Sequence, residues 1–262
     1  MGDKVSILVP TFNRRFWLPH TLNSLVNQSH RNIEIIVVND AGEDVKDVVD
    51  KFNDSRIRYF TNEKNLDLAG TRNVALKHST GDYIMLCDDD DQILQYGIEF
   101  RLHMMKKLNA EIVYTRALQN VMERVLDGYR IVQRNLYWDS IFNRDLILIQ
   151  NICPCNCSLF SRKSWEDVDK PLFDETLTTS EDWAFWVELS RANDFHELKL
   201  IDCECSFRTD NSQMTGSREG YVSHLPYLYK KWRKYADNLG YVIKGQNEIM
   251  TTRGLNPEDY GL

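Results

Sequence analysis

The chain has 262 residues, enough for one large α/β domain or two small ones. Its formal net charge of −7 argues against sequence-independent binding to nucleic acid, and no apolar run reaches the ~20 residues that a membrane-spanning helix needs. The six cysteines lack the paired spacing and the histidine partners of zinc sites. We therefore expect a cytoplasmic protein with reduced thiols.

The first ninety residues or so alternate short apolar runs with amphipathic segments. Strands are predicted at 4–10, 33–40, 57–60 and 82–87. Helices are predicted between them at 14–28, 43–52 and 68–79. Strands that are buried on both faces and separated by helices indicate a parallel, doubly wound sheet. Ligands of such sheets bind at the carboxyl ends of the strands, where Asn13, Asp40 and an aspartate run lie.

The second half of the chain has a more mixed pattern. We predict helices at 96–109 and 180–193, the latter with Ser180 as N-cap, and strands at 110–121 and 195–208, the last as one strand or a pair. The signal weakens over 122–149, which is either irregular or a hairpin. The tail is predicted as one amphipathic helix over 221–241. Its basic and aromatic side chains are compatible with docking on the inner face of a membrane, with packing on the rest of the chain, or with dimerisation.

The stretch "YIMLCDDDDQIL" places four aspartates, Asp88 to Asp91, directly after an apolar strand. Two carboxylates about 5 Å apart repel by roughly 3 kcal/mol at an effective dielectric near 20, so the run needs solvent or a cation. On an extended strand Asp88 and Asp90 would point to one side and Asp89 and Asp91 to the other. One pair could then hold Mg²⁺ or Mn²⁺. A solvated acidic turn and a non-catalytic calcium site explain the spacing equally well.

Five short segments come in an informative order: "VPTFNR", "VVND", "NLDLAGTRN", "DDDD" and "SEDWAFW". In this order they resemble the nucleotide-sugar glycosyltransferases of family 2, which have the GT-A fold, over roughly residues 5–215. The resemblance implies an α/β fold with a Rossmann-like, mostly parallel central sheet flanked by helices. It also implies a catalytic domain over 1–220, with a nucleotide-binding half (1–115) and an acceptor-binding half (116–220), followed by a helical extension (221–262).

The implied activity is inverting, metal-dependent transfer of a hexose or N-acetylhexosamine in polysaccharide or glycoconjugate biosynthesis. A nucleotide-diphosphate sugar, with a UDP-sugar favoured, would be the donor, a glycan or lipid-linked hydroxyl the acceptor, and Mn²⁺ or Mg²⁺ the cofactor. The alternative is a catalytically silent module that binds a nucleotide-sugar or a glycan. Such a module would have no use for a catalytic base.

The resemblance also implies donor-binding residues. They are Pro10, Thr11, Asn13, Arg14, Asp40, Arg72, Asp88 and Asp89. Asp40 would accept the ring N–H of uracil, although its position also suits a cap of the following helix. Arg72 would approach the base or the diphosphate, and the alternative is a surface arginine on a helix. Asp67 stands where many relatives have glycine, which leaves the local turn geometry open.

For the metal, the resemblance assigns Asp90 as a ligand and Asp88 as a contact to ribose or metal-bound water, with Asp91 orienting them. Many relatives have a histidine where this chain has Asp210, so Asp210 is either a replacement oxygen ligand or evidence of a lost one. Arg208 and Arg218 are candidates for diphosphate contact.

"SEDWAFW" matches the segment that supplies the base of inverting relatives. Asp182 would take the proton of the acceptor hydroxyl, with Glu181, Trp183 and Trp186 on the acceptor side. From the local sequence alone, both acids are equally explained as first-turn residues that the helix dipole stabilises, and at least one tryptophan as core.

Overall fold

The computed structural model describes residues 2–137, 141–210 and 218–262, without the side chains of residues 218 and 219. The strands are β1 (Val5–Thr11), β2 (Ile33–Asn39), β3 (Ile57–Thr61), β4 (Tyr83–Leu86), β5 (Gln92–Ile93), β6 (Ile112–Val125), β7 (Gly128–Tyr137), β8 (Ser158–Ser161) and β9 (Phe195–Arg208). The α-helices are α1 (Leu18–Val26), α2 (Lys46–Asp50), α3 (Asp67–His78), α4 (Gly97–Leu108), α5 (Arg162–Glu166), α6 (Glu181–Ser190), α7 (Arg218–Trp232) and α8 (Leu239–Thr252). Short 3₁₀ turns occur at Leu146–Leu148, Cys155–Cys157, Arg233–Tyr235 and Pro257–Tyr260.

The described strands form one sheet in the order β3-β2-β1-β4-β8-β6-β9-β5, with β7 on β6. The first four are parallel, as predicted, and each but β4 is followed by a helix along the chain. β8 then runs antiparallel to both β4 and β6, while β9 runs parallel to β6. The predicted α/β fold is confirmed, and its sheet is mixed beyond β4.

Successive side chains of the first strands point to opposite faces of the sheet, and helices pack on both faces. Leu8 of β1 packs in one apolar cluster with residues of α3, α6, α7 and α8. Its neighbours Ile7 and Val9 pack in a second cluster with residues of α1 and α4. All seven residues of β1 and all seven of β2 are buried, which confirms the two-sided burial expected of interior parallel strands.

Residues 122–137 belong to a hairpin and residues 141–149 are irregular with one 3₁₀ turn, so each of the two predicted alternatives holds for part of this segment. β6 continues to Val125 and pairs antiparallel with β7 across a turn at 126 and 127. A connection this short permits only antiparallel pairing, which explains part of the mixed sheet. The part of this predicted segment that falls on residues 138–140 lies outside the described residues.

The tail is two helices rather than one. Leu225, Leu228, Tyr229 and Trp232 of α7 are fully buried in the cluster that contains α6. Trp232 therefore packs in the core, and its predicted part in a membrane-docking face is wrong. Among the helices described, none combines the length and the apolar character that crossing a bilayer requires.

Candidate active site

A cavity of about 970 Å³ opens at the carboxyl ends of β1, β2 and β4 and at the first turn of α6. This volume is in the range of sites that hold cofactor-sized ligands. It contains most of the predicted site residues: Pro10, Thr11, Arg14, Asp40, Arg72, Asp88, Asp89, Asp90, Glu181, Asp182 and Trp183. The topology therefore brings together side chains that are up to 173 positions apart in the sequence.

Four other predicted residues do not line this cavity. The side-chain oxygen of Asn13 accepts the N–H of Glu43 at 2.8 Å, so Asn13 shapes the loop after β1 instead. Trp186 has no exposed surface and packs against Phe160 and Phe195, so its assignment to the acceptor side is wrong. Arg208 lies behind the cavity wall and Asp210 outside it, and the side chain of residue 218 is outside the described part.

The aspartate run forms a turn, and the predicted alternation of its side chains is wrong. β4 ends at Leu86, and the N–H of Asp91 donates to the carbonyl of Asp88 at 3.2 Å. All four residues of the run line the cavity. Burial raises the pKa of Asp89, Asp90 and Asp91, and neighbouring carboxylates add to the rise, so positive charge at this turn would favour the ionised forms.

Asn156 fixes the aspartate turn through two side-chain hydrogen bonds, a role that was not predicted from the sequence. Its side-chain oxygen accepts the N–H of Asp88 at 3.0 Å, and its amide nitrogen donates to a carboxylate oxygen of Asp91. Its backbone carbonyl accepts from the buried Arg101 at 2.9 Å. Asn156 lies within the segment "CPCNC" (153–157), and its three cysteines, like the other three of the chain, are free thiols.

Two buried arginines hold the aspartate turn from its flanks. Arg72 is only 1% exposed, so it is not a surface arginine. Its guanidinium contacts Asp88 at 2.6 Å and also pairs with Glu181 of α6. Arg208 pairs with Asp90 at 2.7 Å and lies over the ring of Trp17, 5.0 Å from its centroid. Each arginine thus neutralises the charge of one carboxylate of the aspartate turn at a site with little access to solvent.

Asp40 is buried and positions the loop that leads into α3. Its carboxylate accepts from the side chain of Asn62 and from the N–H of Leu66, both at 2.8 Å. Because α2 begins only at Lys46, Asp40 does not cap that helix, and this alternative is wrong. Asp67, the first residue of α3 after this loop, has φ 57°. Glycine adopts this left-handed conformation at least cost, which accounts for the glycine expected there in relatives.

Asp182 lies in the first turn of α6 at the cavity wall. Its carboxylate accepts from Trp183 N–H at 2.7 Å and from the side chain of Asn151 at 3.3 Å. Burial, reinforced by the adjacent charge of Glu181, raises the pKa of Asp182 to about 7. Ser180 precedes the helix with φ 65° and makes no side-chain capping bond, so its predicted capping role is wrong. An acid of this pKa can exchange protons near neutral pH.

Trp183 is fully buried and yet contributes to the cavity wall. Its indole N–H donates to the carbonyl of Ile147 at 2.6 Å, and its ring packs against Trp232 of the tail. Asp210 is exposed and accepts from the hydroxyl of Tyr129 at 2.9 Å. Asp210 is not among the residues that line the cavity, so its contact with Tyr129 does not support the prediction that it replaces a histidine ligand.

Comparison with known proteins agrees with this geometry. Residues 6–168 match the model of glycosyl transferase family 2, and the chain belongs to this family. It is 31% identical over 252 residues to an uncharacterised glycosyltransferase of Rickettsia bellii, covering 87% of this chain and 33% of the relative. It is 27% identical over 229 residues to the GalNAc(5)-diNAcBac-PP-undecaprenol beta-1,3-glucosyltransferase of Campylobacter jejuni, covering 86% of this chain and 72% of that protein. The chain thus spans about a third of the first relative.

Two solved structures share the fold. TarS 1-349 of S. aureus in complex with UDP-GlcNAc has a TM-score of 0.73 and 20% identity, with 95% of this chain and 72% of that chain covered. The mannosyltransferase PcManGT of Pyrobaculum calidifontis in complex with GDP-Man and Mn²⁺ has a TM-score of 0.66 and 14% identity, with 96% and 73% covered. At these identities the likeness establishes the GT-A-like fold alone.

Proposed function

We propose that this chain is an inverting, metal-dependent glycosyltransferase that moves a hexose or N-acetylhexosamine from a UDP-sugar to a hydroxyl of a glycan or lipid-linked acceptor. The observation that carries the proposal is a single cavity that joins the Asp88–Asp91 turn to Asp182, an acid whose pKa is about 7. A UDP-GlcNAc complex of a protein with this fold and the undecaprenol-linked substrate named for the Campylobacter relative support the donor and acceptor classes.

The donor end of the cavity has the groups that a uridine needs. The Asp40 carboxylate, held by Asn62 and the Leu66 N–H, is ready to accept the ring N–H of uracil. Pro10, Thr11 and Arg14 line the same cavity, from the end of β1 and the loop after it. A carboxylate with two fixed donors keeps its orientation before the nucleotide arrives, which reduces the entropy lost on binding.

The aspartate turn suits a divalent cation. Among the described residues no three or more histidine, cysteine or acidic side chains form a metal site. Mg²⁺ and Mn²⁺ however typically use one or two carboxylates and complete their shell with substrate phosphates, so Asp88 and Asp90 at the cavity wall fit such an ion. Held there, the ion would neutralise the diphosphate leaving group. Arg72 already places a positive charge beside Asp88.

Asp182 supplies the proton acceptor. An acceptor hydroxyl that hydrogen-bonds to this carboxylate would lose its proton as its oxygen attacks the anomeric carbon from the face opposite the diphosphate. Inversion needs one base and one stabilised leaving group and no protein nucleophile. The elevated pKa makes Asp182 a stronger base than an exposed aspartate, and Arg72 keeps the neighbouring Glu181 paired.

The pH profile should report this base. Because burial and Glu181 raise the pKa of Asp182 to about 7, its carboxylate is protonated and inactive below that pH. We expect kcat to rise about tenfold per pH unit below 7 and to level off above it. Measurement of kcat from pH 5 to 9 checks this. A flat profile across pH 7, with chemistry rate-limiting, would contradict the assignment.

Donor binding is the first test of the proposed function. We expect calorimetric titration to show UDP binding with Mn²⁺ that weakens at least tenfold with chelator, and little binding of GDP or CDP. Asp90→Ala should abolish the metal dependence, and Asp40→Ala should remove the preference for uracil. Asp127→Ala, which changes an exposed carboxylate remote from the cavity, is the matched control.

Two results would count against the proposal. If the folded protein binds no nucleoside diphosphate, the donor site does not exist. If it binds UDP but transfers no sugar to any acceptor tested, the silent-module alternative is favoured.

A further inference from the structure

The floor of the cavity continues beyond it as an open sheet face. β9, β6 and β7 lie side by side. Residues that pair across the three strands lie on the same face of the sheet, and so do the residues two positions farther along each strand. One register row joins Cys205, Gln119 and Asn135, and the next joins Phe207, Val121 and Gln133. Cys205, Gln119 and Phe207 line the cavity, so this face looks into it.

Three amide side chains lead outward along this face, and we call Gln119, Asn135 and Gln133 the amide row. Gln133 donates to Asn135 at 2.7 Å, and Asn135 donates to Gln119 at 3.3 Å. Gln119 is at the cavity, Asn135 is half-buried and Gln133 is exposed. The amide row therefore runs from the proposed reaction site to the surface of the β6–β7 hairpin.

One of the described side chains around the amide row is an exposed aromatic ring. The charged side chains described near it form an ion pair. Phe207, on the same face, is 39% exposed although it lines the cavity. Farther out, the opposed residues Glu123 and Arg130 pair with each other at 3.2 Å. The ring of Phe207 thus presents apolar surface beside the fixed polar groups of the amide row.

We propose that the amide row and Phe207 form a subsite for a neutral oligosaccharide, namely the acceptor sugars that lie beyond the one carrying the attacked hydroxyl. Each amide has two N–H donors and a carbonyl with two lone pairs, so the contacts within the row leave capacity for adjacent sugar hydroxyls. The ring of Phe207 offers a flat apolar face for sugar C–H groups. Among the residues that the structure describes, this face carries no net charge, which favours a neutral glycan over an anionic one. This inference rests on the proposed function.

The test compares oligosaccharide and nucleotide binding in the same protein. Wild-type protein is applied, with UDP and Mn²⁺, to an array of neutral oligosaccharides of two to six sugars, and the best ligand is titrated by calorimetry. We expect Gln133→Ala with Asn135→Ala to raise the Kd of that ligand about tenfold, the loss of a few hydrogen bonds. The Kd of UDP should not change. Leu136→Ala, an exposed residue on the opposite face of β7, is the control and should alter neither value more than twofold.

The outcomes separate this inference from the function on which it rests. Equal oligosaccharide affinity in the double variant and the wild type would overturn the subsite, as would the absence of any array ligand for a protein that still binds UDP. Failure of the wild type to bind UDP would overturn the proposed function and the subsite together. A change of the same size in Leu136→Ala would show a general effect on the hairpin and would also reject the subsite.

Discussion

Replacement of Asp182 by asparagine is expected to lower kcat by 10² to 10⁴, the usual contribution of a positioned general base. The amide cannot take a proton, but its oxygen can still accept the N–H of Trp183, so the first turn of α6 should keep its geometry. UDP affinity should be unchanged, because the base acts on the acceptor. Single-turnover kinetics beside calorimetric UDP titration would measure both quantities.

Stability gives an independent check on Asp182→Asn. Burial raises the pKa of this carboxyl, so its ionised form costs folding free energy above pH 7, and the neutral amide avoids that cost. We expect the variant to unfold at the same or higher temperature at pH 8. Asp237→Asn, an exposed substitution, serves as control. A kcat within threefold of the wild type would remove Asp182 from the mechanism.

Replacement of Arg72 by methionine should produce the largest loss of stability among these variants. It leaves the Glu181 carboxylate buried and that of Asp88 two-thirds buried, each without its guanidinium partner. Removing one member of a buried ion pair costs about 3 kcal/mol or more. The guanidinium also lies 5.7 Å from the ring centroid of Phe173, so packing is lost as well. Urea denaturation at pH 8 measures the free energy of unfolding.

The control for Arg72→Met is a second arginine with two acidic partners. Arg15 pairs with Glu43 and Asp47 at an exposed site, so Arg15→Met should lower the free energy of unfolding far less than Arg72→Met does. Adding Glu181→Gln to Arg72→Met should recover part of the lost stability by removing an unpaired buried charge. Equal losses for the two single variants would contradict the role of Arg72 as the buried link between the aspartate turn and α6.

The parallel half of the fold was predictable because its signals are local. β1 and β2 are continuous apolar runs, and each is followed by a segment with helical periodicity, so both the strand type and the burial could be inferred. The remainder depends on distant pairings. That β8 would insert between β4 and β6 follows from pairings between residues 44 to 78 positions apart, which leave no periodic pattern in the sequence.

The candidate site was predictable where a motif defines it and not where tertiary contacts do. Asp88 and Asp182 could be named from short matching segments, and the strand ends could be expected to converge. Asn156 bonds to the aspartate turn and Arg101 bonds to Asn156, and no local sequence pattern predicts these hydrogen bonds. Asp91 is held in a turn by Ser206 and Asn156, so an extended run was the wrong starting assumption.

The packing of Trp183 bears on how much of the chain must fold together. Its ring lies 4.8 Å from that of Trp232 and 6.4 Å from that of Tyr221, between centroids, so the residue beside Asp182 is held by α7. The family match ends at residue 168, before α6 begins. A fragment cut at 168 would lack α6 and Asp182, and one cut at 217 would expose the Trp183 surface that α7 buries. The autonomous folding unit therefore extends through the tail, and we expect the tail and α6 to unfold in one cooperative transition.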